Sequence, residues 1–202
     1  MPGKTIGIEM NLGYAGSFAR TPDCIIMNRK AKTTDIPFGA PVVLNGSDNT
    51  YSAFGATNTA AQFVGVAVRE VKQAVNYASQ NNVYYPAGEP CDVIERGNVV
   101  VKCGKGTPTA GGAVYIRVTA NASYPDQAVG SFEAEADSNK TVKLLNAVWA
   151  TGKIDGNKMC ELAIYRSAAV SAVTDVASDL ATHVADKTNP HEVTTAQAAA
   201  AS

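Results

Sequence analysis

The sequence predicts a mainly β protein: a β-barrel or β-sandwich domain with an extended N-terminal arm and a short C-terminal helical appendage. Three observations carry this. Short β-branched runs alternate with Gly, Pro and Asn turns between residues 36 and 165, the pattern of strands that share one core. The first 22 residues are polar and interrupted by Gly7, Gly13, Gly16 and Pro22, so no periodicity is sustained there. Composition then changes at Ser167, after which residues 168 to 186 contain neither Gly nor Pro. These breaks divide the chain into an arm (1–22), a β-rich domain (23–166) and a tail (167–202).

The domain is centred on residues 83 to 103, VYYPAGEPCDVIERGNVVVKC. This stretch reads as a hairpin, with Val93 and Ile94 on one strand, Val99, Val100 and Val101 on the other, and Arg96-Gly97-Asn98 as the turn. Pro86, Gly88 and Pro90 mark its entry, where proline is compatible with a strand start or edge. Upstream, residues 23 to 32 supply a candidate first strand, and Ile36-Pro37-Phe38-Gly39-Ala40-Pro41 leads into the strand Val42-Val43-Leu44. Residues 45 to 62 read as a loop with turn chemistry at Asn45-Gly46, and residues 63 to 75 as the next strand or pair. Downstream, 105 to 112 connects to the strand 113 to 118. Residues 121 to 139 are polar, with Phe132 as their apolar anchor. Strands at 141 to 151 and 159 to 165 close the domain, with Trp149, Leu162 and Ile164 as core candidates.

The tail reads as a helix over residues 168 to 186. Val173, Val176, Leu180 and Val184 recur at spacings of three, four and four, a narrow stripe of the kind that forms a coiled-coil seam. Two heptads are short for a free helix, so either the seam pairs with copies of itself above the β domain, or the helix docks on its own domain. Asn189-Pro190 ends it, and Thr194 with Gln197 has the form of a capping box for a final alanine-rich segment.

Charge excludes some functions. Lys and Arg number 17 against 18 Asp and Glu, a net charge of -1. That gives no basic face for nucleic acid and no case for a membrane surface. Charged residues are 17% of the chain, below the roughly 25% usual in soluble domains, as suits a surface that packs against partners. The leading residues are too polar for a secretory h-region, and no run approaches the ~20 apolar residues of a membrane span. The cysteines, Cys24, Cys91, Cys103 and Cys160, lack the spacing of a zinc or redox motif. They read as free thiols in strands, with a Cys91–Cys103 bridge across the hairpin as the alternative.

No catalytic constellation emerges. The nucleophile-elbow, zincin, P-loop and dinucleotide motifs are absent. Glu133 and Glu135 would share a strand face, but without the aromatic neighbours of a sugar cleft. His183 and His191 fall in the tail, where His191 beside Glu192 would need symmetric copies to hold a metal. The expectation is a protein that is not an enzyme and uses no cofactor.

The order of segments resembles the structural cement, or head decoration, proteins of tailed bacteriophages and prophages. The residues that carry the likeness are Ile36-Pro37-Phe38-Gly39-Ala40-Pro41-Val42-Val43, Phe63-Val64-Gly65-Val66-Ala67-Val68-Arg69 and Tyr85-Pro86-Ala87-Gly88-Glu89-Pro90 leading to Glu95-Arg96-Gly97. Gly112-Ala113-Val114-Tyr115-Ile116 and Asn146-Ala147-Val148-Trp149-Ala150-Thr151-Gly152 complete the order. The likeness spans about residues 12 to 166. It implies a virion structural protein, made in the bacterial host cytoplasm, that binds the outer capsid surface and bridges major capsid subunits. Self-association would accompany this, a homotrimer ahead of a homodimer. Leu12, Tyr14 and Phe18 of the arm would touch the capsid. Thr188-Asn189-Pro190-His191-Glu192-Val193-Thr194 with Gln197 is similar to a short motif of phage tail-fibre proteins. That motif implies a second reading, a tail- or fibre-associated adaptor oligomerising through its C-terminal helix.

Overall fold

The computed structural model describes residues 11–69 and 82–166. By its contacts the chain divides into two units, 1–167 and 168–202. The second unit, with the seam Val173, Val176, Leu180 and Val184, the helix and the motif at 188 to 197, lies outside the described residues, as do residues 70 to 75 of the expected strand 63 to 75.

The described part is built from β1 (Phe18–Lys30), β2 (Ile36–Pro37), β3 (Pro41–Asn45), β4 (Thr50–Ala53), β5 (Phe63–Ala67), β6 (Tyr84–Tyr85), β7 (Pro90–Lys102), β8 (Ala113–Arg117), β9 (Phe132–Glu133), β10 (Thr141–Ile154) and β11 (Met159–Ile164). Every pairing between these strands is antiparallel. One large sheet runs β4-β3-β5-β7-β11-β10-β8-β9, with β1 on the other side of β7, while β2 and β6 form a small separate ribbon. The sheet is open and curled, in place of the expected barrel or sandwich. Its curl brings Phe63 of β5 edge-on to Phe132 of β9, ring centroids 6.2 Å apart, and Cys103 bridges to Phe132 in parallel fashion.

The central stretch corrects the sequence reading. Residues 90 to 102 are one continuous strand, and Arg96-Gly97-Asn98 makes no turn. Gly97 has φ +124°, and a Cβ there would lie 2.6 Å from the carbonyl oxygen of Asp23. Glycine lets β1 and β7 pass in close contact through a local irregularity, the register shifting between Arg20 and Ile25. Cys91 and Cys103 therefore stand at opposite ends of one strand, and all four cysteines are free thiols. Burial and the neighbouring Asp92 push the Cys91 thiol up to about 12. The presumed loop 45 to 62 contains β4, which folds back on β3 with Val42 opposite Ala53 and Asn45 opposite Thr50.

Two apolar clusters fill the curl. The larger joins Phe63, Ile94, Val99, Val101, Phe132, Trp149 and Leu162, all nearly or fully buried. Removing a side chain such as Trp149 from such a core costs about 3–5 kcal/mol. The smaller sits around Ile36, Tyr51, Tyr85 and Val93. Phe38 meets Tyr85 edge-on at 5.1 Å, and the Tyr85 hydroxyl donates to the Val68 carbonyl at 2.8 Å.

Candidate functional site

The chain enters the domain along its rim. The Leu12 N–H donates to the Asp155 carboxylate at 3.1 Å. Asp155 also caps its own turn, accepting from the backbone of Asn157 and Met159, each at 2.9 Å. Burial would raise its pKa, but these three backbone donors outweigh it and hold the carboxyl below its ordinary 3.8. Four residues on, the Gly16 N–H donates to the Val100 carbonyl and the Gly16 carbonyl accepts from Arg69, both at 2.8 Å, while the Val100 N–H donates to Ser17 at 2.8 Å. Gly16 is thus clamped between the second half of β7 and the end of β5. Its φ is +85°, and a Cβ would come within 2.8 Å of backbone atoms of Ala67 and Arg69.

Of the residues expected to form a contact arm, Phe18 opens β1 opposite Val99, and Leu12 and Tyr14 lie on the rim before it. Residues 16 to 20 thus pair with the domain's own sheet. This anchoring leaves side chains displayed: Tyr14 is 67% exposed and Phe18 38%, while Leu12 is half-buried. The Arg69 guanidinium lies 4.7 Å from the Tyr14 ring centroid and 5.8 Å from that of Phe38, contacts worth about 0.5–1 kcal/mol each at an exposed site. Val83, also strongly exposed, receives the Phe38 N–H at its carbonyl, 2.9 Å away. Tyr14, Arg69, Phe38 and Val83 make one aromatic and cationic patch. Sequence reasoning named Tyr14 but missed the other three, which become neighbours only when β5 and the β2–β6 ribbon close against the arm.

Charged groups elsewhere serve the fold. Arg117 and Glu133, both fully buried, pair between β8 and β9, and Arg117 also reaches Asp137 at 2.9 Å. Glu133 is therefore an ion-pair partner, not half of a carboxylate dyad with Glu135. Arg29 joins Glu95 at 3.0 Å and the Tyr51 hydroxyl; burial and Glu95 raise the Tyr51 pKa. Arg20 and Asn98 hold Glu161, and they overcome its burial to keep its carboxyl below its usual value. A cleft of about 790 Å³ lies between residues 37 to 40 and the loops of Gln127, Ser131 and Asn157. Its charged lining, Lys102, Lys158 and Asp126, includes no nucleophile beside a base and no carboxylate pair. Among the described residues there is no group of three side chains suited to a metal.

A curled β scaffold with its buried charges paired and aromatic side chains displayed on an anchored arm is suited to binding rather than to catalysis. Comparison with known proteins is specific. The model of the phage structural cement protein family (E217 gp24/Pam3 gp6) matches residues 2–165, and the chain belongs to that family. It is accordingly a non-enzymatic structural protein of the phage virion, with a capsid-stabilising role. A solved chain from the capsid of Myoviridae phage XM1 matches with TM-score 0.59 at 14% identity, over 81% of this chain and 96% of that one. At that identity the likeness is one of fold. No curated protein matches in sequence. The family match ends before the segment 188 to 197, and nothing among these comparisons supports its likeness to tail fibres.

Proposed function

We propose that this chain sits on the outer surface of the capsid and bridges neighbouring major capsid subunits, with Leu12, Tyr14 and Phe18 at the contact. The carrying observation is the anchored arm: Tyr14 is held out at 67% exposure while the backbone on either side is hydrogen-bonded to the domain. A pre-ordered aromatic loses little conformational freedom on binding, and aromatic and Arg side chains are the usual interface anchors. Binding that favours the assembled shell stabilises it by mass action alone. The seam Val173, Val176, Leu180 and Val184 would join three copies, and several weak contacts per trimer would then act together. Neither nucleic acid nor membrane is needed as a partner.

Quantitative mass spectrometry of purified virions tests this reading. A copy number equal to the major capsid subunit, or a simple fraction of it, is expected. A handful of copies per particle would overturn it and place the protein at a single vertex or the tail.

A further inference from the structure

The cleft beside the arm is used neither by the fold nor by the contact proposed for Tyr14. It adjoins that rim directly, since Ala15 and Phe38 line its wall, and the Arg69 guanidinium lies over the Phe38 ring at 5.8 Å. Three charged side chains line the cleft: Lys102, Lys158 and Asp126. All are exposed, and among the described residues none of them is in an ion pair. Arginines elsewhere in the domain differ, because Arg20, Arg29, Arg96 and Arg117 each hold a carboxylate. A chain of net charge -1 thus sets a positive excess at this concavity, with Arg69 at its margin.

Two further features define the ligand class. Lys158 has φ +61°, the left-handed conformation that glycine or asparagine occupies most readily. The turn Asp155-Gly156-Asn157-Lys158 contains both of those residues, yet a lysine takes the strained position and lines the cleft, a conformational cost that a purely structural turn would avoid. Gln127 is half-buried, and its carboxamide makes no hydrogen bond among the described residues. A Cβ at Gly104 would lie 1.8 Å from the Gln127 Oε1, so glycine there leaves the carboxamide room beside the end of β7. An open amide, donor and acceptor together, matches a peptide backbone, whereas Asp126 opposes a run of phosphates. The cleft's size of about 790 Å³ suits a short segment rather than a single ion. We propose that this cleft receives an extended acidic segment of the major capsid subunit, with its carboxylates at Lys102 and Lys158 and its backbone at the Gln127 amide. This site deepens the capsid-binding reading above, on which it rests.

Carbodiimide cross-linking tests this on the full chain bound to capsids stripped of it. The reagent joins an amine to a carboxylate only where the two already touch. Peptide mass spectrometry should find Lys102 or Lys158 joined to an Asp or Glu of the major capsid subunit. Cross-links to the shell that involve neither lysine would overturn the proposal. Lys158→Gly relieves the strained φ, so its urea midpoint should be no lower than that of wild type, while its attachment to stripped capsids weakens. Combined with Lys102→Gln, attachment by co-sedimentation should fall about tenfold at ~50 mM NaCl, with the gap to wild type closing near ~0.5 M. If wild type attaches and this folded double variant does so equally well, with the same salt dependence, the cleft is overturned and the capsid reading stands. If wild type itself does not attach, both fall. Binding of wild type to duplex DNA that the double variant loses, with shell attachment unchanged, would assign the cleft to phosphates and overturn the proposal.

Discussion

The guanidinium of Arg117 and the carboxylate of Glu133 are fully buried and joined at two points, with one Nη2–Oε2 contact of 3.0 Å. The pair spans β8 and β9, and the same guanidinium reaches Asp137 and the Thr119 carbonyl. Asp137 in turn accepts from Asn121 at 2.8 Å. One arginine thus pins both ends of the polar segment 119 to 137, whose Phe132 and Ala134 pack on the larger core cluster.

Breaking that pair from one side leaves the buried Arg117 guanidinium balanced by Asp137 alone, which is partly open to solvent. Glu133→Gln should lower unfolding free energy toward the low end of the about 3–5 kcal/mol that an unmatched buried charge costs, read as a drop in the urea midpoint. Replacing both partners, Arg117→Met with Glu133→Leu, should recover most of the loss. If the double variant is as unstable as the single, the pair's hydrogen bonds to the segment, rather than charge burial, dominate.

Gly16 makes a separate prediction. A methyl group there would meet backbone from Ala67, Arg69 and Gly39 at 2.8–2.9 Å, at a φ that non-glycine residues rarely adopt. Gly16→Ala should cost about 1–3 kcal/mol and release residues 12 to 15 from the rim, seen as faster amide exchange at Leu12. Since residues 16 to 20 bond to β7, truncation up to residue 11 should be tolerated, while truncation to residue 20 should destabilise the sheet.

How far the sequence disclosed this can be read from particular residues. Val42-Val43, residues 63 to 67, residues 113 to 117 and residues 159 to 164 are strands as read, because β-branched runs bounded by Gly or Pro leave little choice. The turn at Arg96-Gly97-Asn98 failed because a glycine that ends a strand and a glycine that lets two strands cross closely look the same along one chain. Only the position of the Asp23 carbonyl decides between them. β4 was missed for a related reason: Thr50-Tyr51-Ser52-Ala53 is weakly apolar and becomes a strand by pairing with β3. Tyr14 was read as an arm residue that would touch the capsid, and its seat on Arg69 was not legible, because Arg69 is a long-range neighbour that no spacing encodes.

Acid should loosen the rim before the core. The Asp155 carboxyl is held below 3.8 by backbone donors that include Leu12, so its stabilising contribution is complete above that value and is lost as pH falls through the depressed one. Glu161, held down by Arg20 and Asn98 against its burial, acts in the same direction. Between pH 5 and 3 the wild-type urea midpoint should fall, and Asp155→Asn, already weaker at pH 5, should show a smaller change. An identical pH dependence in the variant would remove Asp155 from this account.

The proposed seam is tested by a charge. Leu180→Asp places a carboxylate in the middle of the stripe Val173, Val176, Leu180 and Val184, where helix pairing would bury it. If copies associate through that stripe, light scattering should show a smaller particle for the variant at the same concentration. An unchanged mass would mean that the helix serves its own domain, and any self-association would then have to arise elsewhere.

Tyr14 separates attachment from folding. Its ring rests on the Arg69 guanidinium and is otherwise open, so Tyr14→Ser removes little from the core and should leave thermal stability within about 0.5 kcal/mol of wild type. A side chain that anchors a contact loses about 2 kcal/mol or more on truncation, and this chain would meet the shell through several copies at once. Binding of Tyr14→Ser to capsids stripped of the protein should therefore fall at least tenfold, as measured by co-sedimentation. Arg69→Ala should fall less, because the ring remains but is no longer held in place. Wild-type binding by both variants would show that the rim faces solvent on the particle, and the contact would have to be sought on another face of the sheet.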